Sequence, residues 1–74
     1  MERKYQDLGL VAGANLKRLM RENQLTQEDF AEAFSADERT VRRWISQGIN
    51  NITLIGEIAD FFNVIITDLL GLTT

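Results

Sequence analysis

The chain of 74 residues contains no cysteine and no histidine. The absence of cysteine excludes disulfides and thiolate metal sites, and it fits a reducing, intracellular compartment. The absence of histidine excludes acid–base catalysis by imidazole and removes the commonest metal ligand. We therefore predict a protein that binds no metal and no cofactor.

Long apolar runs are also absent, so no stretch of the sequence is long or apolar enough to cross a bilayer. The first ten residues, MERKYQDLGL, are too charged and too interrupted for a signal peptide. These features predict a cytoplasmic protein without a membrane partner. The length is that of one small domain.

Catalytic groupings are missing as well. The sequence has no nucleophile paired with a base, no phosphate-cradling glycine loop and no set of metal ligands. Its polar clusters consist of carboxylates and arginines. We predict that the protein is not an enzyme, and no small-molecule ligand is evident.

Basic residues are scarce, with 8 lysines and arginines against 11 acidic residues and a net charge of −3. An acidic balance is unfavourable for DNA binding, because most single-domain DNA binders are basic. The basic residues are unevenly distributed: five lie in residues 1–23, three in 24–48 and none in 49–74. A fold with this distribution can present Lys17, Arg18 or Arg21 on one side, next to the basic cluster at 39–43, and carboxylates on the other.

Residues 26–48, TQEDFAEAFSADERTVRRWISQG, show the helical spacing of apolar residues twice. Each predicted helix has three apolar residues on one face: Phe30, Ala31 and Phe34 in the first, and Val41, Trp44 and Ile45 in the second. Thr26 is a suitable N-cap for the first helix, and Asp37 for the second. Only residues 35–37 separate the two helices, and the small Ala31 permits their close approach. The segment is therefore predicted to be a helix-turn-helix.

The outward face of the second helix is polar and begins with a cluster of charges: Glu38, Arg39, Arg42 and Arg43, with Thr40 beside them. An arginine can donate two hydrogen bonds to a guanine edge, and a glutamate can accept one from the cytosine amino group. A charge run of this length is more often a solvated helix face. The helix-turn-helix context favours a face that reads DNA bases in the major groove.

Three further helices are predicted outside this segment. The first helix begins after Asp7 and ends near Asn23, and its apolar positions have helical spacing: Val11, Ala12, Leu16, Leu19 and Met20. Gly48 ends the third helix. Asn51 caps a fourth helix, and Asn63 in the left-handed conformation ends it. A short last helix lies at about residues 67–70.

The combined pattern resembles the phage-repressor class of helix-turn-helix domains, the Cro and XRE family of bacterial and phage regulators. The resemblance covers about residues 8–70. It is carried by Leu16, Leu19 and Leu25, by TQEDFAEAF with Gln27 and Ala31, by Thr40, Val41 and Trp44, and by IADFFNV followed by DLLG. It implies an all-α, compact five-helix bundle of the lambda-repressor type, with the helix-turn-helix formed by helices 2 and 3 at about 26–48. We expect the domain to comprise residues 8–72, after a partly ordered N-terminal arm of residues 1–7.

The resemblance implies a sequence-specific DNA-binding transcription regulator, a repressor or Cro-like protein, which inserts helix 3 into the major groove of a double-stranded operator as a homodimer. The positions expected to read bases are Glu38, Arg39 and Arg43. Those expected to contact phosphates or to position the helices are Thr26, Gln27, Thr40 and Ser46, together with Arg42, which fits either role. The alternative is a protein-interaction module of the same fold, antitoxin-like or antirepressor-like, that uses the arginine face to bind an acidic partner.

Three departures from the family pattern have physical consequences. Ser35 occupies a turn position where the family commonly has glycine, and a positive φ costs serine more. The loop of residues 48–51 has no lysine or arginine, whereas relatives often contact phosphates from it. Met20 and Ile45 replace an arginine and a glutamate that the family often pairs in the core. Because replacing both charges avoids an uncompensated buried charge, we predict that these two side chains touch.

The carboxy-terminal segment is more apolar than one small core requires. The residues concerned are Ile66, Leu69, Leu70 and Leu72. We predict that they contribute to a dimer interface, since exposed apolar patches often mark interfaces. The alternative is that they only close the bundle.

Overall fold

Apolar residues at helical spacing form five α-helices in the computed structural model, which describes the backbone of residues 4–72 and the side chains of residues 8–72. The helices are α1 (Lys4–Glu22), α2 (Gln27–Phe34), α3 (Glu38–Gln47), α4 (Ile52–Phe61) and α5 (Ile66–Leu69). No strand occurs between residues 4 and 72. The predicted all-α architecture of five helices is confirmed, and residues 35–37 join α2 to α3 as expected.

Helix α1 begins at Lys4, so the predicted start after Asp7 is wrong. The chain contains no proline, and its first glycine is Gly9, so nothing in residues 4–7 interrupts the helical hydrogen bonds. Residues 1–3 of the predicted arm lie outside the described residues. The division into an arm, 1–7, and a domain, 8–72, stays a prediction.

Side chains cap two of the helices at their amino ends, as the sequence predicts. The Thr26 hydroxyl accepts a hydrogen bond from the Asp29 N–H at 3.0 Å, and the Asp29 carboxylate accepts one from the Thr26 N–H at 3.2 Å. Asn51 caps α4 by accepting from the Leu54 N–H at 3.1 Å. Asp37 occupies the N-cap position of α3 but accepts no capping hydrogen bond there. Its predicted role is therefore reduced to a favourable charge near the helix start.

Four helices end in the same way, with one residue in the left-handed conformation. These residues are Gln24 (φ 58°), Ser35 (φ 62°), Asn63 (φ 59°) and Gly71 (φ 71°). At each end the following N–H donates to a carbonyl five residues earlier, as from Ala36 to Ala31 at 2.8 Å, which is the Schellman motif. Asn63 ends α4 as predicted, and Ser35 adopts the positive φ without the glycine that the family commonly has. Helix α3 ends differently, at Gly48 with φ 98°.

Phe30 lies in the core and joins α2 to α4. It is fully buried, and its ring stacks on Phe34 and Phe62 with centroids 5.0 and 5.5 Å away. It meets Phe61 edge-on at 5.1 Å. The other buried apolar residues come from every helix and from the loop after α3: Ala12, Leu16, Leu19, Met20, Ala31, Val41, Ile49, Ile55, Ile58, Ala59 and Leu69. A single core therefore connects the helix-turn-helix to the rest of the described chain.

Met20 and Ile45 lie in this same core, as an apolar replacement of the family's ion pair requires. Met20 is buried on α1, Ile45 is partly buried on α3, and the two helices pack against each other. No charged side chain is buried within residues 8–72. Direct contact between Met20 and Ile45 stays a prediction.

Glycines bring the backbones of α1 and of the α3 carboxyl end together. A Cβ atom at Gly13 would overlap the carbonyl oxygen of Trp44, and one at Gly9 would lie 2.9 Å from the carbonyl oxygen of Ile49. The Ile49 N–H donates to the Gly9 carbonyl at 3.0 Å. Because backbone atoms cannot move aside as a flexible side chain does, these contacts fix the position of α3 against α1.

Candidate nucleic-acid interface

Helix α3 has one buried face and one charged face. Val41 is fully buried, and Trp44 and Ile45 are partly buried against the core. The Trp44 ring meets Phe34 of α2 edge-on, with centroids 6.1 Å apart. Since α3 packs on α1 and α2 through these residues, its opposite side faces solvent.

The charged face of α3 carries four exposed side chains: Glu38, Arg39, Arg42 and Arg43. Glu38 and Arg42 lie one turn apart and form a salt bridge with an N–O distance of 3.8 Å. Because both side chains are about half exposed, this pair contributes only about 0.3–0.5 kcal/mol to stability. A stronger ligand can therefore replace either partner.

Arg39 and Arg43 differ from Arg42, since neither forms a salt bridge with another residue in the described part of the chain. They are also one turn apart, so their guanidinium groups leave the same side of α3. Each guanidinium has five N–H donors in a planar fork. This arrangement suits the recognition of a base edge or a phosphate group.

A shallow groove of about 250 Å³ lies beside the start of α2. Its lining comes from α1, from the loop that follows and from α2: Lys17, Met20, Arg21, Leu25, Thr26 and Gln27. Thr26 and Gln27, both predicted to contact phosphates or to position the helices, are thus neighbours of two basic side chains of α1. The Thr26 hydroxyl accepts the capping hydrogen bond and keeps its own proton to donate.

The three basic side chains in the second half of α1 have different partners. Arg18 forms a salt bridge with Glu22 at 3.1 Å. Lys17 and Arg21 line the groove, and neither pairs with an acidic residue that the structure describes. The sequence left open which of the three faces the helix-turn-helix, and the groove shows that Lys17 and Arg21 do so.

Thr40 and Ser46 lie near opposite ends of α3. Thr40 is partly buried in the first turn, whereas Ser46 is exposed. The Ser46 hydroxyl donates to the carbonyl of Arg43 at 3.4 Å. Because a phosphate only accepts hydrogen bonds, a contact from Ser46 requires its hydroxyl proton to leave this long internal bond.

The four residues predicted for a dimer interface have different surroundings. Leu69 is 1% exposed and its carbonyl accepts from the Asn15 side chain at 2.7 Å, so Leu69 closes the bundle and offers no surface to a second copy. Ile66 and Leu70 are partly buried against the core. Leu72 is 54% exposed. Ile52 and Ile65 are exposed as well, and the sequence assigns them no role, because their apolar character alone does not show which side of α4 and of the α4–α5 loop faces solvent.

Two structural absences concern the same described residues. No group of three or more acidic, histidine or cysteine side chains within them is placed to hold a metal ion. None of the described helices combines the length and the apolar character needed to span a membrane.

Comparison with known proteins identifies a family for this chain. The family described as the Cro/C1-type HTH DNA-binding domain matches residues 15–74, which is most of the chain. This range contains α2, α3, α4, α5 and the last eight residues of α1. No curated protein and no solved structure matches the chain significantly.

Proposed function

The chain belongs to the family of Cro/C1-type helix-turn-helix DNA-binding domains, and on that premise we propose that it is a sequence-specific transcription regulator of the repressor or Cro-like type. It inserts α3 into the major groove of a double-stranded operator, in the cytoplasm. The family consists of DNA-binding domains and is typically non-enzymatic, so we expect no catalytic activity. Nothing in the match favours the alternative of a protein-interaction module.

The observation that supports this proposal is the pair of exposed arginines on α3. Arg39 and Arg43 project from the same side and have no acidic partner in the described part of the chain. A helix in the major groove contacts base edges mainly from its amino-terminal part, where Arg39 lies. We propose that both arginines donate to guanine N7 and O6, the commonest specific contact of arginine.

Glu38 completes the base-reading set in this proposal. Its carboxylate accepts from a cytosine amino group after it releases Arg42, and the exposed salt bridge between them is weak enough to exchange. Arg42 is then free to contact a phosphate. Thr26, Gln27, Thr40 and Ser46 supply further phosphate or positioning contacts.

We propose that two copies bind one operator. The loop of residues 48–51 has no cation, so one copy makes few phosphate contacts and binds weakly. Joining two half-sites raises the overall affinity without new contacts to DNA. The exposed side chain of Leu72, with the exposed parts of Ile66 and Leu70, is the proposed interface, and sedimentation of the free chain tests it by its oligomeric state. A chain that stays monomeric at high concentration, and on a two-site duplex, contradicts the dimer.

Selection from random duplexes at a stated salt concentration tests the function directly. We expect enriched sites to form an inverted repeat with half-site centres about 10 base pairs apart, since that is one turn of DNA. The variants Arg39→Ala and Arg43→Ala are each expected to lose about 1–3 kcal/mol of binding to the selected site and to relax its sequence at one position.

Arg18→Ala is the matched control, because it also removes one exposed arginine from a helix but one that is paired with Glu22. It is expected to leave the sequence preference unchanged. A circular dichroism spectrum and a melting curve show that each variant is folded. If Arg39→Ala and Arg43→Ala bind the selected duplex as Arg18→Ala does, the proposed function of α3 is wrong.

A further inference from the structure

Helix α1 packs against both α3 and α5. On one side Gly13 brings the α1 backbone against the Trp44 carbonyl of α3. On the other side the Asn15 side-chain amide donates to the Leu69 carbonyl of α5 at 2.7 Å. Because consecutive residues of an α-helix are about 100° apart, Gly13 and Asn15 point about 200° apart. The two contacts therefore lie on nearly opposite sides of α1.

Each side of α1 makes a further contact one turn earlier. Gly9, one turn before the contact with Trp44, accepts a hydrogen bond from the Ile49 N–H at 3.0 Å. Val11, one turn before Asn15, lies beside Gly71. A Cβ atom at Gly71 would lie 2.9 Å from the Val11 Cγ1 atom, so the backbone after α5 rests closely on this side chain. Helix α1 therefore connects the carboxyl end of α3 with the carboxy-terminal segment through contacts on two faces.

The contact made by Asn15 is directional. Leu69 is the last residue of α5, and the carbonyl groups at a helix end have no partner within the helix. A hydrogen bond to such a carbonyl restricts both its distance and its orientation. Apolar packing alone is not directional, and it would let a helix of four residues shift along α1. Asn15 therefore fixes where the end of α5 lies on α1.

We propose that Asn15 is a positioning residue for operator binding, which holds α5 at a constant distance from α3 and thereby sets the half-site spacing that two copies accept. This inference rests on the proposed function, in which Ile66, Leu70 and Leu72 form the interface between the copies. A dimer bound to adjacent half-sites places its two reading helices about 34 Å apart, which is one turn of DNA. In each copy, the path from this interface to α3 runs through α1. A shift of α5 along α1 therefore moves the two α3 helices relative to each other.

The dependence of affinity on half-site spacing tests this inference. Binding is measured to a duplex with one selected half-site, and to two-site duplexes whose centre-to-centre distance is varied in steps of one base pair around about 10. Asn15→Leu keeps a side chain of similar size and removes the donor. It is expected to bind the single half-site as the intact chain does. The affinity ratio between the best spacing and its neighbours is expected to fall about 2- to 12-fold, the equivalent of one hydrogen bond.

Asn23→Leu is the matched control on the same chain. The Asn23 side-chain amide also donates to a carbonyl, that of Leu19 at 2.8 Å, but this carbonyl belongs to α1 itself. The control is expected to keep the spacing preference of the intact chain. Asn15→Asp keeps the shape of asparagine without its N–H donors, and it is expected to behave as Asn15→Leu does.

Circular dichroism shows which of these variants are folded. If the folded Asn15 variants have the spacing preference of Asn23→Leu, the inference is wrong. It is also wrong if they weaken single-site and two-site binding in equal proportion, because a loss of that kind reflects only the stability of the domain.

A distance measurement without DNA separates this inference from the proposed function. The chain has no cysteine, so spin labels can be attached through Ser46→Cys on α3 and Thr67→Cys on α5, at two exposed positions. Labelled chains are diluted into unlabelled ones, so that only distances within one chain are measured. The distribution of these distances is expected to broaden in Asn15→Leu and to stay narrow in Asn23→Leu.

The two measurements together distinguish the possible failures. An unchanged distance distribution in Asn15→Leu overturns the inference and leaves the proposed function intact. If the intact chain prefers no half-site spacing, the proposed dimer is wrong and the spacing role of Asn15 is overturned with it, even where the distribution broadens.

Discussion

The part of the chain up to Gly48 and the part after it differ in charge. All 8 basic residues lie in residues 1–48, and residues 49–74 contain three acidic residues and no basic one. Helices α1 and α3 present cations without an acidic partner in the described part of the chain, whereas α4 and α5 supply apolar core and exposed apolar side chains such as Ile52. Residues 1–48 contain as many acidic as basic residues, so the net charge of −3 comes entirely from residues 49–74 and does not describe the region with the cations.

This difference shows why net charge is a poor guide to the partner of a small domain. A polyanion approaching α1 and α3 meets the local field of the exposed basic residues, and charges beyond about 10 Å are largely screened at 0.1 M salt. The two regions are nonetheless held by one core, in which Phe30 of α2 contacts Phe61, the last residue of α4, and Phe62, which follows it. Their separation is one of charge, not of folding.

The largest expected effect tests whether the two regions fold as one unit. Phe30→Ala is expected to lower the free energy of unfolding by about 3–5 kcal/mol, because it leaves a cavity where α2 meets α4. Urea unfolding followed by circular dichroism measures the change. Phe61→Ala is the control, and since Phe61 is 40% exposed a smaller loss is expected. Equal losses of stability in the two variants, or two separate unfolding transitions, would contradict a single core shared by the two regions.

Replacing a glycine by alanine is expected to lower the free energy of unfolding in the first region and to raise it in the second. Gly13→Ala places a Cβ against the Trp44 carbonyl and is expected to cost about 1–3 kcal/mol, since two backbones must separate. A Cβ atom at Gly56 would lie 3.8 Å from the Ile66 side chain, which is an ordinary contact. Gly56→Ala is therefore expected to raise the free energy of unfolding by about 0.5–1 kcal/mol, because alanine loses less conformational entropy on folding than glycine does. The melting temperatures of both variants, compared with that of the intact chain, measure these two changes in stability. A stabilising Gly13→Ala would show that α1 and α3 have room to move.

The N-caps of α2 and α4 are expected to contribute equally to the free energy of unfolding. Thr26→Ala and Asn51→Ala each remove one side-chain acceptor from a helix amino end and are each expected to cost about 1 kcal/mol. Asp37→Ala is the control, because Asp37 makes no capping hydrogen bond. Denaturant midpoints give the comparison. A loss at Asp37 as large as at Thr26 contradicts the structural assignment of the caps.

The smallest effect concerns the left-handed residues after α2 and α4. Ser35→Gly is expected to raise stability by about 0.5 kcal/mol, because a left-handed serine costs about 1–2 kcal/mol and glycine gives part of that back as entropy. Asn63→Gly is expected to change stability by less, since asparagine tolerates this conformation. Melting temperatures of the two variants measure the difference. A loss at Ser35→Gly would show that the serine is not strained.

The sequence predicts those parts of the fold that depend on short-range pattern. Helical spacing and the caps Thr26 and Asn51 locate α2 and α4, because both signals are local. The left-handed Gln24 has no such signal, since glutamine is not a residue typical of that position. The sequence does not indicate the start of α1, because the charged residues before Leu8 resemble a solvated arm as much as a first helical turn.

The candidate site was predicted less completely than the fold. Its arginines are visible in the sequence, but whether an arginine is paired depends on rotamers, as the different positions of Arg18 and Arg21 show. The sequence places Leu69 at an interface, because apolar character alone does not tell which side of a four-residue helix faces the core. The groove brings Lys17 beside Gln27 across ten positions, and no local pattern encodes that.

The backbone contact between Gly13 and Trp44 has a consequence for how this protein evolves. The axis of α3 is set by main-chain atoms and by inward side chains, none of which touches the proposed operator. Substitution of the outward side chains at positions 38, 39, 42 and 43 therefore leaves the orientation of α3 unchanged. New operator preferences are accessible by a few substitutions that leave the scaffold intact, so the same framework can be reprogrammed for different target sites.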